Sequence, residues 1–268
     1  MTTITATPAT PPADLGNRTP YTRLGVFGLG LIGTAVAMFI VAALFSKPED
    51  VAFMAPVLLV VVLLAGLTWR FGTWAKVLAI VGCGLAGLAM YWTVFGLAFP
   101  ASPFDFLPGM LVPIGVVLGI AGNAAAIRHR RERVPAALPV ERRIMAGVLA
   151  IVLVAAGASV IAALASRSTI EPATGDVVVE INAFAFPELV EAQVGDQLLV
   201  HNGDAAMHDF AVPALGIDLD VLPGSDGVID LAEVAPGTYT VYCTLHSNTS
   251  DPEPGTAGMA TTLQIAAP

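Results

Sequence analysis

Apolar and polar positions follow two different periods along this chain. Through residue 167 the apolar positions fall in long runs: Leu24 to Phe45, Val51 to Trp69, Trp74 to Phe99, Phe106 to Ile127 and Ile144 to Ala165. Each is close to the ~20 residues an α-helix needs to cross ~30 Å of hydrocarbon. Beyond residue 175 the runs give way to short stretches of alternating character, the period of a half-buried strand. These are Val177 to Ile181, Leu189 to Val194, Gln197 to His201, Phe210 to Val212, Gly227 to Leu231, Gly237 to Tyr242 and Thr261 to Ile265. Gly195-Asp196 and Asn202-Gly203-Asp204 supply turn residues between them. Short strands at this spacing predict a β-sandwich. The expected fold class is mixed: a five-helix α transmembrane bundle, then an all-β Greek-key sandwich.

Four segments follow from this pattern. Residues 1–20, rich in Thr, Pro and Ala, read as a disordered cytoplasmic tail. Residues 21–167 form the five-helix transmembrane domain, 168–175 a linker, and 176–268 the sandwich. Pro56, Pro108 and Pro113 fall inside predicted spans, where proline is tolerated. Gly28-Leu29-Gly30-Leu31-Ile32-Gly33 matches a dinucleotide fingerprint, but the apolar run around it leaves no room for the second strand that motif needs. The pattern recurs at Gly82 to Gly87, and Gly115 and Gly119 are four apart. All of these read better as faces for close helix packing, with Cys83 as a small packing residue.

Composition supports the membrane reading. Of the residues, 56% are apolar and 12% charged, and mean hydropathy is +0.77. The charges are segregated. Residues 1–167 hold all 12 Lys and Arg and 6 acids, a net of +6; residues 168–268 hold 15 acids and no Lys or Arg, a net of −15. Arg18, Arg23, Arg70, Lys76 and the six arginines between 128 and 143 flank one set of ends of the runs, while Lys47 and Arg167 alone flank the other. The positive-inside rule then gives a multi-pass cell-membrane protein with its N-terminus cytoplasmic and its acidic C-terminal domain extracytoplasmic. The middles of the runs carry no charge, which argues against an ion or proton path.

The chemistry concentrates near the C-terminus. Cys243 follows the strand Tyr239-Thr240-Val241-Tyr242, His246 comes three residues later, and Met259 precedes the last strand. His208 stands beside the strand Phe210 to Val212. Two imidazoles, one thiolate and one weak thioether are the donors of a blue-copper electron-transfer site. His201 reads as a strand residue, and His129, among arginines, needs no role beyond topology. Cys83 and Cys243 are the two cysteines and lie in different halves, so no disulfide forms within the sandwich. Four histidines are too few for an oxygen-reducing multicopper centre, and none falls in a predicted span, which argues against bis-histidine haem there.

Over about residues 175–266 the chain resembles the cupredoxin family. The resemblance rests on Phe186-Pro187, Val194-Gly195-Asp196, Leu199 to Asp204 followed by His208, Pro236-Gly237-Thr238-Tyr239 leading to Tyr242-Cys243 and His246, and Ala257-Gly258-Met259. The Cys-x-x-His spacing is that of plastocyanin, amicyanin and halocyanin. The resemblance implies one type 1 copper on His208, Cys243 and His246 with Met259 axial, and an electron carrier rather than an enzyme. Two departures stand out. Twelve residues separate His246 from Met259, far more than in the small blue proteins, and Asp209 stands where the family often has Asn. An Asp there can brace the ligand loop only by accepting hydrogen bonds, and its charge disfavours reduced copper. The expected partners are the membrane and a redox protein or respiratory complex, with no nucleic acid; the acidic surplus suits either a basic docking surface on that partner or adaptation to salt. Copper delivery to a membrane oxidase and a metal-free assembly module are the alternatives.

Overall fold

The structure, a computed structural model, describes residues 19–45, 48–130, 139–247 and 258–268. The expected N-terminal tail, part of the arginine-rich loop and nearly all of the insert between His246 and Met259 lie outside these residues.

Five α-helices open the described chain: α1 (Pro20–Phe45), α2 (Pro48–Arg70), α3 (Thr73–Ala89), α4 (Pro103–Arg128) and α5 (Pro139–Ala165). The third apolar run is not one straight crossing. It divides at Met90 into α3 and a 3-10 helix, Tyr91–Ala98, bent by 53°. Four helices are therefore long and apolar enough to cross a membrane, or five if the bent pair counts as one span. Two contacts account for the break. The Met90 carbonyl accepts the Thr93 N–H at 3.0 Å and the Thr93 hydroxyl at 2.8 Å, which replaces α-helical bonding with the tighter 3-10 pattern. Gly96 also lies so close to α4 that an added Cβ would stand 2.1 Å from the Asp105 carbonyl oxygen.

The glycines on α1 and α4 do act as packing faces. A Cβ on Gly28 would lie 2.3 Å from the Gly119 nitrogen, and one on Gly122 would lie 2.3 Å from that of Gly25. Such backbone approach is what small residues allow between apolar helices. Cys83 is fully buried, with its Sγ against Gly119. The outer faces remain apolar: Phe53, Leu88 and Val154 are each more than 70% exposed. The bundle has two distinct ends. At one, Tyr21 meets His129 with ring centroids 5.1 Å apart, and Arg130 Nη1 donates to Thr73 Oγ1 at 3.1 Å. At the other, Phe39 meets Trp92 at 5.2 Å, and Ser159 Oγ donates to the Pro100 carbonyl at 2.6 Å. The β-domain attaches at this second end.

Eight strands follow among the described residues: β1 (Val177–Ile181), β2 (Leu189–Gln193), β3 (Gln197–Asn202), β4 (His208–Val212), β5 (Ile217–Val221), β6 (Asp226–Asp230), β7 (Gly237–Ser247) and β8 (Gly258–Ala266). They form a three-stranded sheet, β1-β3-β6, and a five-stranded sheet, β2-β8-β7-β4-β5. β5 is an addition to the strands expected from sequence. Its Ile-Asp-Leu-Asp-Val alternation is strand-like, but it is short, and aspartate is depleted in strands. Both sheets share one core, in which Leu198, Val200 and Ile229 meet Phe210, Val241, Leu263 and Ile265. Burying each such side chain contributes roughly 1.5–3 kcal/mol. That core fixes β4, β7 and β8, the strands that carry the candidate ligands.

The segment joining α5 to β1 is tied to the domain. The Asp226 N–H donates to the Ser168 carbonyl at 2.7 Å, and the Ile170 N–H donates to Asp226 Oδ2 at 2.6 Å. His201, a β3 residue, lies 2.5 Å from the other oxygen of Asp226 through its Nδ1.

The β4–β5 pairing sets Asp209 directly opposite Asp220. The Asp220 carboxyl is held above its ordinary value, first by burial and then by the charges of Asp209 and Asp218. A raised acid binds its proton more tightly when folded. The repulsion therefore costs stability once pH rises through the unfolded and then the folded pKa, and is absent below about pH 4. Asp220→Asn is expected to stabilise the full chain at neutral pH by about 0.2–1 kcal/mol. Thermal melts at pH 7 and pH 4 check this: the gain should be present at pH 7 and lost at pH 4.

Candidate metal centre

β7 and β8 pair regularly up to Tyr242 opposite Ala260, then resume with Ser247 opposite Gly258. Residues 243–246 on β7 thus stand against Met259 alone on β8. A bulge of this kind bends its strand and re-aims side chains. Here it brings Cys243 and His246 inward, toward His208 at the start of the neighbouring strand β4.

The three donors converge. His208 Nδ1 and His246 Nδ1 are 3.1 Å apart, Cys243 Sγ and His246 Nδ1 3.3 Å, and Cys243 Sγ and His208 Nδ1 3.8 Å. Ligands at ~2.0–2.3 Å around one ion in a trigonal plane stand ~3.5–3.7 Å from each other. The triangle therefore has the size that encloses a single metal ion. His208 and Cys243 are fully buried, and His246 is half-buried. Met259 is buried in the same core cluster as Cys243. Its register opposite the bulge puts it beside the triangle in the sheet.

The surrounding hydrogen bonds prepare the donors for a metal. His208 Nε2 lies 3.0 Å from Asp204 Oδ2. A carboxylate accepts only, so the ring carries its proton on Nε2 and leaves the Nδ1 lone pair toward the triangle. The same carboxylate takes the N–H of Ala183 on Oδ1 and the N–H of Phe184 on Oδ2, both at 2.8 Å. Burial acts to raise the Asp204 carboxyl, but the hydrogen bonds from His208, Phe184 and Ala183 outweigh it, and it sits below its ordinary value. Ala183 and Phe184 both have left-handed backbones, with φ of 55° and 54°. Non-glycine residues held there cost of order 1–3 kcal/mol each. The reward is the placement of the Phe184 ring, edge-on to His208 at 5.1 Å and to His246 at 4.9 Å.

Asp209 braces the ligand loop as an acceptor, as its chemistry requires. Oδ1 takes the Cys243 thiol at 3.0 Å and the Thr244 N–H at 2.9 Å, and Oδ2 takes that N–H at 3.1 Å. Burial pushes the Cys243 thiol well up, and the Asp209 charge and hydrogen bond push it further. The metal-free cysteine is thus a protonated thiol. A metal ion would have to displace that proton.

All four candidate ligands named from the sequence lie at this end of the sandwich, and three of them form the triangle. Sequence reasoning missed Asp204 and Phe184. Asp204 stands four residues before His208, a spacing that could have drawn attention, but it reads first as a turn residue. Phe184 carries no local signal. It reaches the site through the backbone turn from Asn182 to Ala185, closed by the mutual bonds of those two residues. A second omission is the contact with the helical region. The Met207 N–H, next to His208, donates to Asp105 Oδ2 of α4 at 3.0 Å, and Asp105 also accepts the Ser102 hydroxyl.

Residues 149–251 match a family model described as a cupredoxin-like domain. The match begins inside α5 and stops before Met259, whereas the sequence resemblance covers about residues 175–266. A cupredoxin-like domain thus follows the helical region in this chain. Among solved structures, amicyanin from Paracoccus versutus (Thiobacillus versutus) is 19% identical, covering 37% of this chain and 90% of that one with a TM-score of 0.28. The Cu(I) form of an amicyanin variant is 22% identical, covering 38% and 94% with a TM-score of 0.28. An oxidised amicyanin variant is 21% identical, covering 37% and 90% with a TM-score of 0.29. The comparison with curated proteins gave no match.

Proposed function

We propose that the cupredoxin-like domain holds one type 1 copper ion and carries single electrons on the extracytoplasmic face of a membrane that the helices span. The observation that carries this reading is the triangle of His208 Nδ1, Cys243 Sγ and His246 Nδ1, whose edges suit one ion. Two imidazoles and a thiolate, with a weak thioether axial, form the donor set of an electron-transfer copper site. Met259, opposite the bulge, is the axial candidate. A copper centre of this kind supplies one-electron chemistry. The chain's own residues do the rest. Asp204 fixes the His208 tautomer, Asp209 holds the Cys243–Thr244 backbone, and Phe184 shields the two imidazoles from water. Two imidazoles, a thiolate and a weak thioether suit an electron carrier more than a catalyst.

Apolar outer faces on α2 and α5 suit a lipid surrounding, and among the described residues Arg23, Arg70, Lys76, Arg128, Arg130, Arg142 and Arg143 lie near the helix ends away from the β-domain. By the positive-inside rule that end is cytoplasmic. The acidic domain then faces outward, where a redox partner with a basic docking surface would meet it.

Cycling the copper-loaded full chain with a mild reductant and oxidant tests the carrier reading. A strong visible band that bleaches and returns, with copper retained, is the expected result. A colourless site that binds Cu(I) and releases it to an acceptor would favour copper delivery instead. Met259→Leu should keep copper and colour but raise the reduction potential, because a donor that favours Cu(II) is lost. An unchanged potential and spectrum would make Met259 a core residue only.

A further inference from the structure

The inference rests on the electron-carrier reading above and concerns a cleft that reading does not use. Between the helical region and the β-domain lies a cleft of about 190 Å³, lined by Phe39, Trp92, Phe95, Phe99, Asp105 and His246 among others. We propose that this cleft binds the ring of a membrane-dissolved hydroquinone or quinone, placing an electron donor against the imidazole of His246.

Four features point to that ligand class. The first is the wall. Phe39, Trp92, Phe95 and Phe99 present aromatic faces and edges, which suit a flat ring. The second is size. The cleft is smaller than the ~300 Å³ or more of pockets for drug-sized ligands, so it takes a single ring rather than a fused polycycle. The third is polarity. The polar groups, Asp105 and His246, lie where α4 meets the β-domain, which suits a ring with an oxygen at its edge and an apolar tail. The fourth is position. Phe39 lies near the end of α1, Phe99 just before α4, and Trp92 and Phe95 on the 3-10 segment, whose Phe95 is 69% exposed. With these apolar residues at the rim, a ligand dissolved in hydrocarbon would reach the mouth without crossing water.

The build of the chain makes the cleft a specific feature. The break at Met90 and the close approach at Gly96 swing the aromatic segment under the β-domain. The Met207 N–H on Asp105 fastens the domain above it. His246 belongs to both sites: its Nδ1 lies in the metal triangle while its ring lines the cleft. One imidazole then separates a bound ring from the metal. A hydroquinone that becomes a quinone breaks two O–H bonds, releases two protons to water at the mouth and gives up two electrons. An oxidised copper held by His208, Cys243 and His246 would take one electron, so two such centres, or one reoxidised between steps by the outer redox protein, would serve each ring.

The test uses the full chain in nanodiscs, with Trp69→Phe and Trp74→Phe leaving Trp92 as the single tryptophan. A short-tailed benzoquinone is titrated into copper-free protein while Trp92 fluorescence is followed. Saturable quenching is expected, and Phe95→Ala and Phe99→Ala should each raise the half-saturating concentration about tenfold. Circular dichroism confirms that each variant keeps its helices. Quenching that never saturates, or that neither substitution changes, overturns the proposal. Equal displacement by a simple alkyl alcohol also overturns it and identifies a lipid-chain pocket. This arm needs no copper, so its failure is separable from failure of the carrier reading. In a second arm, oxidised copper-loaded protein is mixed rapidly with the hydroquinone. The bleaching rate should saturate, with the same half-saturation shift in Phe95→Ala. Bleaching that stays linear in hydroquinone overturns the donor assignment.

Discussion

Cys243→Ser should abolish the thiolate-to-copper absorption of the full chain. Cys243 is the one thiol of the β-domain; Cys83 is packed in the helix bundle against Gly119. A serine hydroxyl is a hard, weakly acidic donor, and it replaces the soft ligand that distinguishes a type 1 copper from other divalent-metal sites. The fold should survive. The side chain is nearly isosteric, Asp209 can accept from the hydroxyl as it does from the thiol, and the surrounding core of Val241, Phe210 and Leu263 is unchanged. Optical spectra of copper-loaded wild type and variant, with melting curves beside them, check both halves. A variant that stays intensely coloured would remove Cys243 from the ligand set.

The second large effect is expected at a residue that touches the metal only through another. Asp204→Ala removes the acceptor for His208 Nε2 and for the Ala183 and Phe184 N–H groups. Losing a partner that orients a metal-ligating histidine typically costs ~10–100-fold in metal affinity. The freed N–H groups add a stability loss of about 3 kcal/mol, which release of the left-handed turn offsets only in part. Asp204→Asn, which keeps one acceptor oxygen, should fall between wild type and alanine in both. Competition against a copper chelator reads the affinity, and thermal melting of the metal-free chain reads the stability. If Asp204→Ala binds copper as tightly as wild type, the carboxylate does not set the His208 tautomer.

The convergence of His208, Cys243 and His246 was legible because ligation chemistry restricts residue type, and because each stands in or beside a stretch that alternation predicts as a strand. Asp204 and Phe184 were not, because their role depends on a turn from Asn182 to Ala185 reaching across to the end of β3. No local pattern encodes that approach, and two non-glycine residues with positive φ are the opposite of what turn composition predicts. The helices show the same division. Their existence follows from run length, and the packing role of Gly28 and Gly119 follows from spacing. The bend at Met90 does not, because the run from Trp74 to Phe99 has neither proline nor a polar break there. It arises from Thr93 turning its hydroxyl onto the Met90 carbonyl and from Gly96 closing on α4, a tertiary contact. The strand β5 escaped for a milder reason: two aspartates in five residues lower its strand propensity, yet pairing with β4 holds it in the sheet.

X-ray absorption at the copper edge of the copper-loaded full chain tests the central claim most directly, because it counts the atoms around the metal. The account predicts one copper per chain with one short sulfur and two imidazole nitrogens in the shell, and loss of one imidazole in His246→Ala. A shell of oxygen and nitrogen alone, or a chain that retains no copper through gel filtration, would contradict it.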